Sequence, residues 1–250
     1  MPFSLMREAT YMTPQAQKLQ EKRNQTTQRI LKAAASIFSE VGFAGARVDE
    51  IAKAAGVNKA TIYYHIGDKQ ALYAQVIHTL FGDAADRFER IVDQAQSPVD
   101  KLRRYIQTVA DTLERHPELS SIMLREQAAG GRNFPDMVAR NLARILAVIA
   151  GILQEGAEKG VFIETMPFVV HLMIIGTTVF VKRSAPIRAR FASQAGMPLT
   201  MDPDLDEIAV SQIETLVLNA VMKKQCTGAV VSNNWSFFYE KFKKSCGAGI

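Results

Sequence analysis

Cysteine is almost absent from this 250-residue chain: there are two, Cys226 and Cys246, both near the C-terminus and without the spacing of a zinc site. That scarcity excludes a disulfide scaffold and fits a reducing cytoplasm. Histidine is also sparse, and the four, His65, His78, His116 and His171, stand on separate stretches, which argues against a metal sensor. There is no glycine-rich phosphate loop and no nucleophile placed beside a plausible base, so neither an enzyme nor a cofactor is expected. Sustained alternation of polar and apolar residues is missing, which leaves β-sheet without its signature. The opening MPFSLMREAT has no basic segment leading into an apolar run, so no secretory leader is expected. The most apolar run, PFVVHLMIIGTTVFV at residues 167–181, is interrupted by His171, Gly176, Thr177 and Thr178. It falls short of the roughly 20 apolar residues of a spanning helix. A helix buried in a soluble bundle, with no membrane partner, is the expectation.

Hydrophobic residues make up 48% and charged residues 22%, enough for one large domain or two modest ones with real cores. The charge is uneven. Through Gly82 there are ten Lys/Arg against six Asp/Glu, whereas from Asp83 to Cys226 there are seventeen against eighteen. A basic front on a near-neutral body points to an anionic partner for the front, nucleic acid first.

Apolar residues recur at helical spacing almost everywhere. Ile30, Ala34, Ile37, Phe38 and Val41 form one stripe, stopped by Gly42. Val48, Ile51, Ala52 and Ala55 form a second, stopped by Gly56, with Ala46 standing where a capping hydroxyl is usual. Asn58 caps a brief third helix, KATIYYH, and Asp68 caps a long fourth that runs through DKQALYAQVIHTLFGDAADRFERIVDQ. Ser97, Pro117 and Pro135 begin further helices, Gly130 and Gly131 mark a loop, and Pro186 and Pro198 mark an irregular segment before a last helix from Asp204. Residues before Asn24 read as a frayed terminus, with an extension of the first helix or a basic arm as alternatives. The tail WSFFYEKFKKSCGAGI, with Trp235, Phe237, Phe238, Tyr239 and Phe242, reads as packing on the body; a membrane surface is the alternative.

Helix, glycine turn and short helix inside a basic unit is the geometry of a helix-turn-helix. At about 100° per residue, Ile62 faces the core and Ala60 and Tyr64 point most nearly away from it, with Thr61 and Tyr63 on the flanks. A small Ala60 lets the helix approach base edges, and its methyl can pack on a thymine methyl. Thr61, Tyr63 and Tyr64 offer hydroxyls, and Lys59 and Lys69 offer charge for phosphates. Taken alone, the tyrosine pair reads as half-buried packing, and only inside this pattern does the outward reading take precedence.

In these residues the chain resembles the TetR family of bacterial transcriptional regulators. ILKAAASIFSEVGF followed by VDEIAKAAGVNKATIYYHIGDKQAL matches that family's DNA-binding domain in order and spacing, over about residues 24–84. Ile66 stands where the family usually has phenylalanine, and Ala46 replaces its usual capping hydroxyl. The resemblance implies an all-α fold: a three-helix DNA-binding domain at residues 24–84, with the helix-turn-helix about 47–66, joined by a long helix to a larger effector-binding and dimerisation domain at 85–225. Residues 1–23 are then an N-terminal extension and 226–250 a C-terminal tail. It places DNA contacts at Arg47, Asn58, Lys59, Ala60, Thr61, Tyr63, Tyr64, His65 and Lys69. It implies a cytoplasmic homodimeric repressor on a palindromic double-stranded operator, released by a small effector. Candidate pocket residues are Tyr105, Met123, Glu126, Phe134, Phe162, His171 and Met173, a Met-rich set suited to a lipophilic or aromatic ligand. The apolar surface of the last two long helices suits an interface, with Leu172, Ile175, Val179, Ile213, Leu216, Val217 and Ala220 as its candidates. An adaptor acting through its body and tail is the alternative function.

Overall fold

The computed structural model describes residues 13–82, 84–195 and 205–223. The aromatic tail and the two cysteines lie outside them. Ten helices succeed one another: α1 (Pro14–Gly45), α2 (Val48–Ala55), α3 (Lys59–His65), α4 (Lys69–Phe81), α5 (Ala84–Gln94), α6 (Pro98–Arg115), α7 (Pro117–Ala128), α8 (Asp136–Glu158), α9 (Pro167–Ala195) and α10 (Leu205–Val221). Among the described residues there is no strand, only an isolated bridge between Phe162 and Met222. The chain divides into two compact units between Val76 and Ile77, within α4.

The first unit is built on Ile30, Leu31, Ala34 and Phe38 of α1, Ile51 and Ala52 of α2, Ile62 of α3, and Leu72, Tyr73 and Val76 of α4, all buried. Gly42 takes a left-handed φ of 74°, which kinks the end of α1. Past the kink, Phe43 joins an aromatic cluster in which Phe38 and Phe43 stand 4.8 and 5.0 Å from the Tyr73 ring. Residues 14–23 are helical and continuous with the rest of α1, which corrects the expectation of a frayed terminus.

The second unit is a bundle centred on α6, whose Leu102, Tyr105, Ile106, Val109 and Leu113 are buried against α5, α8, α9 and α10. Two sequence expectations change here. The predicted long fourth helix is two helices, ending at Phe81 and resuming at Ala84 around the flexible Gly82. Conversely, Pro186 does not end α9, which continues to Ala195. The ring removes one backbone donor, and side chains crowd the preceding carbonyls: Ser184 Oγ and the Arg188 guanidinium both donate to Val181 O. With that continuation, residues 167–190 are long and apolar enough to cross a membrane by length and composition, contrary to the sequence reading. The helix is nonetheless tied into the bundle by polar groups: Lys182 pairs with Glu114 of α6, and His171 bonds Tyr105.

Candidate nucleic-acid interface

The reading helix is set by two turns. Gly56, at φ 65°, donates its N–H to Lys53 O (3.2 Å), and Val57 donates to Ala52 O (3.0 Å). This double closure satisfies the last carbonyls of α2 and redirects the chain at once. Asn58 then caps α3: its Oδ1 accepts both the Thr61 N–H and the Thr61 hydroxyl, each at 2.8 Å. The Thr61 proton is therefore engaged within the protein rather than offered outward. At the far end Gly67, at φ 115°, leads to Asp68, whose Oδ1 accepts from Ala71 N–H at 2.8 Å.

Anchored by a fully buried Ile62, α3 leaves Ala60, Tyr63 and Tyr64 exposed, the tyrosines by 49 and 75%. The Arg23 guanidinium lies over the Tyr64 ring, 5.7 Å from its centroid, and the His65 ring meets it edge-on at 5.4 Å. Thr27 gives its hydroxyl proton to Arg23 O (3.0 Å), so in its 3.3 Å contact with His65 it accepts from Nδ1–H, leaving Nε2 for another partner. Arg23 and Thr27 of α1 therefore brace α3. The sequence reading has Arg23 only as part of a possible basic arm and does not single out Thr27, although their four-residue spacing puts both on one face of a helix. Arg47 is the N-cap residue of α2, exposed and making no side-chain cap bond, so the uncapped position is Arg47, not Ala46, which is buried. Lys69 sits 4.7 Å over the Phe43 ring, within 3.4 Å of Ala44 O.

Lys59 is held by Asp49 at 3.0 Å, and that hydrogen bond raises its pKa above the ordinary lysine value. A phosphate must compete with this carboxylate. Asp49→Asn is therefore expected to tighten duplex binding about threefold to tenfold and to steepen its salt dependence, measurable by fluorescence anisotropy.

In the second unit the pocket candidates disperse. Tyr105 and His171 meet, hydroxyl to Nδ1 at 2.7 Å, both buried. Glu126 is buried too, but its carboxylate accepts from Asn133 N and Nδ2 (3.3 and 3.2 Å), fastening the Gly130–Gly131 loop in front of the half-buried Phe134. Phe162 is core: it covers Gly156 so closely that a Cβ there would meet its ring at 1.9 Å. Met123 is half-buried and Met173 is 41% exposed on α9. Of the interface candidates, Leu172 and Leu216 are open, Ala220 is exposed and Ile175 half-buried. Val179, Ile213 and Val217 are turned into the subunit, 4, 5 and 2% exposed, so they have little surface to give a partner. The open apolar face is instead the i, i+4 row of Phe168, Leu172 and Phe180 on α9, and Ile208 and Leu216 on α10.

Burial pushes His171 down to about 4 and Tyr105 well above the usual tyrosine range. Because the folded value lies below the unfolded one, the unfolded chain takes up the proton first as pH falls. Stability is complete above about pH 6.5 and is lost progressively towards 4. Wild type should lose about 2–3 kcal/mol more than His171→Gln between pH 7 and 4.5 in urea denaturation.

A short helix fixed by caps at both ends, braced from behind and open on one face defines a DNA-reading helix-turn-helix. Residues 30–76 match the bacterial regulatory proteins of the tetR family, and residues 98–208 match a tetracyclin repressor-like C-terminal domain. The HTH-type transcriptional repressor SCO4008 of Streptomyces coelicolor is 32% identical over 148 residues, 57% of this chain and 70% of that one. The repressor NicS of Pseudomonas putida is 28% identical over 145 residues, 57% of this chain and 68% of its own. In fold, the chain is similar to the ketosteroid transcriptional regulator KstR2 of Mycobacterium tuberculosis, with a TM-score of 0.62 and 22% identity over 81% of this chain and 96% of that one. The chain belongs to the TetR family of transcriptional regulators; it is a DNA-binding regulator and not an enzyme.

Proposed function

We propose that the chain is a cytoplasmic, homodimeric repressor that binds a palindromic operator through α3 and is released by a small lipophilic or aromatic effector. Residues 24–84 carry the DNA contacts, and residues 85–225 carry the effector site and the interface. The observation that carries this reading is the exposed Ala60–Tyr63–Tyr64 face on a helix whose other side is anchored by Ile62. A single seven-residue helix reaches too few bases for a specific site, so two copies on one two-fold axis are needed. The open rows on α9 and α10 supply apolar surface for that pairing. The Tyr105–His171 pair, neutral and inside the bundle, supplies a polar handle in otherwise apolar surroundings, which suits a ligand with one or two polar groups. Release follows when the effector binds more tightly to a dimer whose reading helices no longer match the half-site spacing.

The test is an operator-release assay. The full chain is bound to duplex DNA from upstream of its own gene and challenged with a panel of lipophilic aromatic compounds. The reading expects at least one compound to lower DNA affinity more than tenfold, and His171→Phe to blunt that response while leaving DNA affinity intact. Compounds that bind the chain yet leave its DNA affinity unchanged would remove the effector part of the proposal.

A further inference from the structure

Between α5 and α6 lies a half-open cleft of about 290 Å³ lined by four arginines: Arg87 and Arg90 from α5, Arg104 and Arg115 from α6. On α6 the lining residues Arg104, Gln107, Thr108, Asp111 and Arg115 recur at intervals of three and four, so one continuous face of the helix borders the cleft. Among the described residues, Asp111 is its only acidic lining residue.

Several acids of the flanking helices are engaged elsewhere, whereas Asp100, held low first by the Ser97 hydroxyl, also feels the Arg104 charge. Asp86 and Glu89 of α5 hold Arg144 of α8 at 2.7 and 2.6 Å, and Glu214 of α10 holds Arg103 at 2.9 Å. Within the cleft, Arg87 is steadied by donation to Thr112 Oγ1 at 3.2 Å. Arg90, Arg104 and Arg115 form no ion pair with a described residue. The Thr108 hydroxyl proton already goes to Arg104 O at 2.8 Å, so the donors left for a guest are guanidinium N–H groups and the Gln107 carboxamide. Four arginines against one aspartate leave the concavity net positive, which concentrates anions, and a guanidinium fork matches two oxygens of a phosphate or carboxylate at once.

We propose that this cleft binds a small multivalent oxyanion, a molecule carrying two or more phosphate or carboxylate groups, which bridges α5 and α6. The volume is that of a small-molecule site rather than of a duplex backbone. The site is separate from the Tyr105–His171 pair, since Arg104 is exposed on α6 where the adjacent Tyr105 is buried. The inference does not depend on the repressor reading or on the effector pocket.

The test is isothermal titration of the full chain at low salt with inorganic pyrophosphate and, separately, with citrate. One site per chain is expected for at least one of them. The exposed pair Arg104→Ala/Arg115→Ala should weaken it at least tenfold without changing the melting temperature of the unliganded protein, while Arg140→Ala, an exposed arginine on α8, should leave it unchanged. Tighter binding of pyrophosphate assigns the site to phosphate-bearing ligands, and tighter binding of citrate assigns it to polycarboxylates. The proposal is overturned if neither anion binds, or if the double variant binds as well as wild type. It is equally overturned if the double variant loses duplex affinity while its anion binding is unchanged, which would make the cleft part of a DNA surface.

Discussion

Tyr64→Ala is expected to lower operator affinity by about two orders of magnitude or more while leaving the proposed dimer and the melting temperature nearly unchanged. The ring is 75% exposed and its one described aromatic-cation partner is Arg23, so truncation removes little of the fold: a surface cation–π contact is worth about 0.5–1 kcal/mol. In the proposed complex the same exposed side chain offers a hydroxyl to phosphate or base edge. Loss of such a contact costs about 1–3 kcal/mol. The two-fold symmetry of the proposed dimer counts it once per half-site, which is why a modest local loss becomes a large one. Anisotropy titration beside analytical ultracentrifugation separates DNA affinity from dimerisation. Tyr63→Ala should have a smaller effect, because that ring is less exposed, at 49%, and lies on the flank.

Leu216→Arg is expected to convert the proposed dimer to monomer and, through it, to abolish operator binding at nanomolar concentrations. Leu216 is 63% exposed in the isolated chain, so a charged side chain there is tolerated by the fold but not by an apolar partner face. An apolar anchor at the centre of an interface is worth about 2 kcal/mol or more, and the symmetric pair doubles it, a shift of about a thousandfold in the dimer constant. Val217→Ala gives the contrasting result. Its side chain is 2% exposed within the subunit, so the variant should lose folding stability, measured by denaturant titration, and keep its association.

Local chemistry was the part of this molecule most legible in the sequence. Gly56 as a stop, Asn58 and Asp68 as caps, and Ile62 as the inward residue of α3 all rest on interactions spanning three or four residues, and the structure has each of them. What escaped the reading depends on distant partners. Helices α9 and α10 are apolar on more than one side, so their periodicity does not tell the side facing the bundle from the side left open. Val179, Ile213 and Val217 therefore read as interface candidates although each is buried within the subunit. Phe162 read as pocket lining because nothing in its neighbourhood reveals that it seals Gly156 and bridges to Met222. Pro186 and Gly82 depart from the reading in opposite directions: the proline is accommodated inside a helix against its propensity, and the glycine interrupts one in keeping with its own. The bracing of α3 by Arg23 and Thr27 likewise joins residues about forty positions apart.

Dimethyl sulfate probing of the operator tests the entry of α3 into the DNA most directly, since the reagent marks guanine N7 in the major groove and adenine N3 in the minor groove. With wild-type protein, protection of N7 in two symmetric clusters is expected, and both clusters should vanish with Tyr64→Ala at concentrations that saturate the wild type. Protection confined to N3, or N7 clusters that persist unchanged in the variant, would contradict the assignment of α3 as the reading helix.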